Sequence, residues 1–194
     1  MTTKDISFII PVYNRPDELE ELLGSFLDLE GNRDFEIVVI EDGSQISSSE
    51  VIDKFINDLD ISYFYKANSG PGDSRNFGMK KAKGNYFIIL DSDCILPKDY
   101  LVNFFANINH RYVDCFGGVD DSHHSFTSFQ KAVNFTMTSL ITTGGIRGGR
   151  SRHKSFQARS FNMGISKKTF ELTGGFSNIH PGEDPDLSLR ISNY

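Results

Sequence analysis

Short runs of branched and aromatic residues recur along the chain, and most are followed by a polar turn and then by apolar residues three and four apart. Ile6 to Tyr13 is the first such run, read as a strand. Asn14-Arg15-Pro16-Asp17 follows and opens a pattern that places Leu19, Leu22, Leu23, Phe26 and Leu27 on one helix face. Phe35 to Ile40 repeats the strand signal and ends in Glu41-Asp42-Gly43-Ser44; Val51, Ile52, Phe55, Ile56 and Leu59 then return at helical spacing. Ile61 to Tyr65 predicts a third strand. Gly70-Pro71-Gly72 introduces a helix that runs through Arg75-Asn76 to about Lys83, with Gly84 as its C-terminal glycine. Tyr86 to Leu90 is almost wholly apolar, as a parallel strand covered on both faces is, and it ends on Asp91-Ser92-Asp93.

Pro97 fits the first turn of a helix carrying Leu101, Phe104, Phe105 and Ile108, and Val113 to Val119 predicts a further strand. Strands alternating with helices imply an α/β fold: a mostly parallel central sheet with right-handed crossovers and helices on both faces. Such sheets bind ligands at the carboxyl ends of their strands, where the acidic clusters fall. From 120 to 159 the pattern gives way to a polar stretch with Gly144-Gly145-Ile146-Arg147-Gly148-Gly149-Arg150, predicting a helix near Phe129 to Leu140 and then a mobile loop. Ser160 to Ile165 predicts a strand, Lys167 to Leu172 a short helix, and Asp186 to Ser192 the start of a helix cut off by the chain end. The expected organisation is one domain over 1–194, truncated at the C-terminus, with 120–159 an insertion or mobile loop region.

Composition narrows the function classes. No apolar stretch approaches the roughly 18 residues of a membrane span, and Met1 to Asp5 lead into the first strand without a basic n-region or cleavage site. A cytoplasmic location is expected. The formal charge of −6 argues against a nucleic-acid surface and suits a divalent-cation site. Cys94 and Cys115 belong to no metal or disulfide motif, so both are expected to be reduced structural thiols. His123-His124 point in different directions with no carboxylate at ligand spacing, which makes them loop histidines; His110, His153 and His180 add nothing further.

The chemistry is carried by acids at strand ends. Asp91 and Asp93, one residue apart after a buried strand, offer hard oxygen ligands of the kind magnesium or manganese takes while bridging a diphosphate; a helix-capping turn is the alternative. Asp42 presents an acceptor for a base N–H, or else closes an Asx turn, and Tyr13 and Asn14 carry the same two readings. Arg75, in the first turns after Gly70-Pro71-Gly72, either reaches a nucleotide or tethers the acidic loop. In Gly182-Glu183-Asp184-Pro185-Asp186, Asp184 fits an N-cap before Pro185, or a base that removes a hydroxyl proton. The chain contains neither a Walker loop nor a Rossmann glycine fingerprint after its first strand.

Taken together, Phe8-Ile9-Ile10-Pro11-Val12-Tyr13-Asn14, Val38-Val39-Ile40-Glu41-Asp42-Gly43-Ser44, Gly70-Pro71-Gly72 with Arg75-Asn76, Leu90-Asp91-Ser92-Asp93 and Gly182-Glu183-Asp184-Pro185-Asp186-Leu187 resemble the family 2 inverting glycosyltransferases with a GT-A fold. The resemblance implies that Pro11, Tyr13, Asn14 and Asp42 line the nucleotide pocket with Arg75 close by. It also implies that Asp91 meets the ribose, Asp93 holds Mn2+ or Mg2+, and Asn162 lines the donor-sugar and acceptor side. Asp184 would be the base, with Glu183 its neighbour or understudy, and Arg147 or Arg150 would close over the leaving diphosphate. The donor is then a nucleotide-diphosphate sugar, leaning to UDP, and the acceptor a saccharide or lipid-linked hydroxyl. Membrane association, at the inner face, would need a segment beyond this chain's C-terminus. The usual Asp-Asp-Gly-Ser is Glu41-Asp42-Gly43-Ser44 here, which keeps the second acid.

Three other readings are weaker. A sugar-phosphate nucleotidyltransferase wants a Gly-rich basic loop directly after the first strand, where this chain has Val12-Tyr13-Asn14-Arg15-Pro16. A response-receiver domain places its acidic pair after the first strand rather than the fourth. A module that binds nucleotide sugars without turnover is separated only by assay.

Overall fold

The computed structural model describes residues 1–118, 158–179 and 181–194. A short 3-10 turn at Thr3–Asp5 leads into one six-stranded sheet made of β1 (Ile6–Val12), β2 (Glu36–Asp42), β3 (Ile61–Lys66), β4 (Tyr86–Leu90), β5 (Cys115–Gly117) and β6 (Asn162–Ser166). The strand order is β3-β2-β1-β4-β6-β5. The first four strands are mutually parallel, and β6 runs antiparallel to both β4 and β5. The expected mostly parallel sheet is therefore present.

Helices α1 (Pro16–Leu27), α2 (Ser49–Phe55) and α4 (Tyr100–His110) cover one face, and α3 (Pro71–Lys81), α5 (Lys167–Thr173) and α6 (Glu183–Ser192) cover the other. Strand alternation builds the two cores. In β1, Ile6, Phe8, Ile10 and Val12 pack toward α1, whereas Ile9 packs toward α3 with Val38, Ile40, Phe87 and Ile89. On the α1 side Phe8 meets Phe26 and Phe35 edge to face, with centroids 4.8 and 5.0 Å apart. All five residues of β4 are buried, as its apolar run predicts.

Several boundaries differ from the sequence reading. Helix α3 stops at Lys81, its C-cap Ala82 being extended, and Gly84 is not a left-handed cap. Gly84 is needed for close approach instead: a Cβ there would lie 2.6 Å from Ser7 Oγ and 2.7 Å from the Asp5 carbonyl. Pro97 precedes helix α4, whose N-cap is Asp99. Leu27 and Ile56 face solvent because each lies at the fraying end of its helix. The strand expected over 113–119 is confined to Cys115–Gly117 among the described residues. Gly182, at φ 125°, is the N-cap of α6, so Asp184 and Pro185 sit inside the first turn rather than at its edge. The helix expected at 129–140, Arg147, Arg150, His123, His124, His153, His180 and the 120–159 region up to residue 157 lie outside the described residues. No helix among the described residues is long and apolar enough to cross a membrane.

Candidate active site

A cleft of about 570 Å³ opens beyond the carboxyl ends of β1, β2 and β4, where the strand order reverses between β1 and β4. Its size falls within the range of small-molecule sites. Pro11, Tyr13, Arg15, Asp42, Arg75, Asp91 and Asp93 line it. Strand parity selects these side chains. Asp42 follows Val38 and Ile40, and Asp91 follows Phe87 and Ile89, so both acids emerge on the α3 side of the sheet.

Glu41 has the opposite parity and a different task. It is fully buried and accepts hydrogen bonds from Ser44 Oγ, from the Ser48 N–H at 2.8 Å and from the Tyr63 hydroxyl at 3.0 Å. The acid that departs from the usual motif thus ties together the loop after β2. Asn14 is structural in the same way. At φ 56°, its Oδ1 accepts from the Gln45 N–H (2.7 Å) and the Ile46 N–H (3.1 Å), and its own N–H donates to Ser44 Oγ at 2.8 Å. Among the sequence-predicted binding residues, Asn14 is bound into the loops beside the cleft and does not line it.

Asp42 is 4 % exposed and held by the segment after β3. Its Oδ1 accepts from the Ser69 N–H at 3.0 Å and from Lys66 Nζ, and its Oδ2 accepts from the Gly70 N–H at 2.9 Å. A carboxylate has about four acceptor positions, so the described residues leave one over. Lys66 escapes sequence reasoning because its only signal is register: it lies directly across from Asp42 in the β2–β3 ladder.

Arg75 is 5 % exposed and spends its guanidinium on acids from two distant parts of the chain. One terminal nitrogen donates to Asp91 Oδ1 at 2.8 Å; the other donates to Glu183 Oε1 at 3.4 Å and lies 3.9 Å from Asp184 Oδ1. Of the two readings open for Arg75, the tether is the one the geometry displays. Asp184 accepts through Oδ2 from the Ser160 N–H and Oγ–H, both at 3.1 Å. Its Oδ1 is buried and has no hydrogen-bond partner among the described residues.

Asp93 stands at the cleft mouth with its side chain 59 % exposed and Arg15 3.7 Å away. Partial burial, then the nearby charges of Asp91 and Glu18, raise its carboxyl above the ordinary aspartate value, and Arg15 offsets part of that. Asn162 is not brought to this cleft. In the antiparallel ladder it pairs with Leu90, shares that residue's face, and accepts a hydrogen bond from the Tyr100 hydroxyl at 2.8 Å beside a second cavity under α4.

Known proteins resemble this chain in sequence or in fold. An uncharacterized glycosyltransferase of Rickettsia felis is 44% identical over 94 residues, 48% of this chain and 15% of the relative. The crystal structure of S. aureus TarS 1-349 in complex with UDP-GlcNAc superposes with a TM-score of 0.74 at 21% identity, covering 96% of this chain and 53% of that one. A mannosyltransferase, PcManGT from Pyrobaculum calidifontis in complex with GDP-Man and Mn2+, gives 0.71 at 18% identity, covering 96% and 51%. The chain spans about half of each solved structure and a small part of the Rickettsia relative. These superpositions bear out the GT-A fold class. Residues 7–171 match the family described as glycosyl transferase family 2, a span from β1 into α5 that takes in Asp42, Arg75, Asp91 and Asp93, and the chain belongs to that family.

Proposed function

We propose that this chain moves a sugar from a UDP-linked donor to an acceptor hydroxyl with inversion, Asp184 acting as general base and Asp93 holding Mn2+ or Mg2+. The observation that carries the reading is Asp184 Oδ1, buried without a hydrogen-bond donor among the described residues, across Arg75 from Asp91. A buried acceptor left unpaired costs free energy, and an incoming hydroxyl supplies the missing donor. Ser160 fixes the other oxygen and so the carboxylate's direction. Asp184 takes the hydroxyl proton as the acceptor oxygen bonds to the anomeric carbon, and the bond to the diphosphate breaks on the opposite side with its electron pair. A single displacement of this kind inverts the configuration.

Charge supports the cation. Among the described residues, Asp42, Asp91, Asp93, Glu183 and Asp184 outnumber Arg15, Lys66 and Arg75 at and beside the cleft, and a nucleotide diphosphate adds more negative charge. Among the described residues no group of three or more His, Cys, Asp and Glu side chains is gathered for a metal. A hard cation of the magnesium type needs only one or two protein carboxylates beside substrate phosphates. The assignment of the cation to Asp93 is supported by its exposure, 59 % against 38 % for Asp91 and 15 % for Asp184. When bound, the cation supplies Lewis-acid stabilisation to the departing diphosphate. The Mn2+ in the mannosyltransferase complex supports a divalent cation in the proposed reaction.

The single acceptor position left on Asp42 suits the lone imide N–H of uracil better than the paired N–H donors of guanine. The UDP-GlcNAc bound by TarS points the same way. The acceptor is proposed as a saccharide or lipid-linked hydroxyl. Calorimetric titration of UDP with Mn2+ tests the core of the proposal. Asp93→Ala is expected to weaken metal-dependent UDP binding by about tenfold, or roughly 1.4 kcal/mol. Undiminished affinity in that variant would remove Asp93 from the metal site.

A further inference from the structure

The last part of the described chain carries Asp184, and it is fastened to the donor edge by two consecutive residues of α3. Arg75 reaches forward, gripping Asp91 at the end of β4 and Glu183 at the start of α6, with its guanidinium 5.3 Å from the centre of the Phe176 ring. Asn76 fastens that same Phe176 by its backbone: Asn76 Nδ2 donates to the Phe176 carbonyl at 2.7 Å, and the Phe176 N–H donates to Asn76 Oδ1 at 2.8 Å. The contact spans 100 residues of sequence. Gly174 and Gly175, at φ 73° and 76°, turn the chain from α5 into this position. Gly175 must also stay bare, because a Cβ there would lie 2.2 Å from Asn76 Oδ1.

We propose that Arg75 and Asn76 form a clasp that sets the position of Asp184 relative to Asp91, which makes Asn76 a positioning residue although it does not line the cleft. The inference rests on Asp184 being the base. Asp91 and Asp184 lie on elements with no covalent reason to keep a fixed separation, and a reacting hydroxyl must fit between the donor and the base. Arg75 ties the two through charge-assisted bonds that fork in different directions, which a lysine ammonium does not reproduce. Asn76 holds the Phe176 ring against which that guanidinium rests. An amide side chain that satisfies both the N–H and the C=O of one residue anchors the loop without contacting any substrate.

Two measurements on the same variants test the clasp: UDP affinity in the presence of Mn2+, by calorimetry, and UDP release from a panel of UDP-sugars. Asn76→Ala is expected to lower kcat by roughly 10- to 100-fold while leaving the UDP dissociation constant within about twofold, the pattern of a misplaced catalytic group. Asn76→Asp keeps the acceptor for the Phe176 N–H and should restore part of the rate; it also carries the test if the alanine variant does not fold. Gly175→Ala should reproduce the loss by pushing Asn76 away. An unchanged kcat in Asn76→Ala, or a UDP affinity that falls in step with kcat, would overturn the clasp. A wild-type protein that binds UDP and Mn2+ but releases no UDP from any donor overturns the catalytic reading beneath it, and that result is distinct because no variant is involved.

Discussion

Glu36 and Asp184 are both withdrawn from water, one at the amino edge of the sheet and the other beside its carboxyl edge, and their surroundings are opposite. Glu36 accepts from Ser7 Oγ at 2.7 Å and from the Lys83 N–H at 2.8 Å, with Lys83 Nζ and Ser62 Oγ both 3.5 Å away. It joins β1, β2, β3 and the turn into β4. Asp184 has one oxygen held by Ser160 and the other without a hydrogen bond among the described residues. A carboxylate whose lone pairs are all met stabilises the fold, and one left partly unmet keeps capacity for a reaction. The two edges also shift acids in opposite directions. At the amino edge the Thr2 N–H and hydroxyl hold Asp5 below the ordinary aspartate value, whereas at the carboxyl edge partial burial and Asp91 push Asp93 above it.

Substitutions at the two edges should separate activity from stability. Asp184→Asn removes the proposed base but keeps size and the contact with Ser160. It is expected to cut UDP-sugar turnover by about 10²- to 10⁴-fold with no loss in the urea midpoint. A variant that keeps wild-type turnover would break the contrast at its strongest point. Glu36→Ala should do the reverse. Leaving the buried Ser7 hydroxyl and Lys83 N–H unpaired should cost about 2–3 kcal/mol of unfolding free energy, while UDP affinity measured below the unfolding transition stays unchanged. If Glu36→Ala lost UDP binding in the folded state, the amino edge would be coupled to the site.

The smallest effect concerns pH. Because Asp5 has a depressed folded pKa, its contribution is fully present above the ordinary aspartate value and is lost as pH falls through the depressed one. Asp5→Asn should therefore lower the melting temperature slightly at neutral pH, and the difference from wild type should vanish in strong acid. A difference that persisted there would mean that Thr2 does not hold the charged form.

Much of this was legible along the chain. Apolar runs separated by turns predicted the strands and their alternation with helices, and the acids Asp42, Asp91 and Asp93 fall at strand ends because a polar residue ends a buried strand wherever the chain reaches solvent. Boundaries were less legible. Gly84 has a cap's sequence signature, yet its purpose is room for Ser7 and Asp5, which lie nearly 80 residues earlier. Pro185 suggested Asp184 as an N-cap, but Gly182 takes that place with a backbone angle that favours glycine.

The sequence by itself determined which residue types stand at the ends of which elements, since hydrophobic period and turn chemistry are local. Only the tertiary structure decided which of them meet. Parity within the ladder sends Asp42 and Asp91 to one face and Glu41 and Asn162 to the other, and one residue of register would exchange them. Arg75 finds Asp91 16 residues away and Glu183 108 residues away. Contacts of that range depend on how the helices pack over the sheet, a property of the whole fold that no short stretch of sequence encodes.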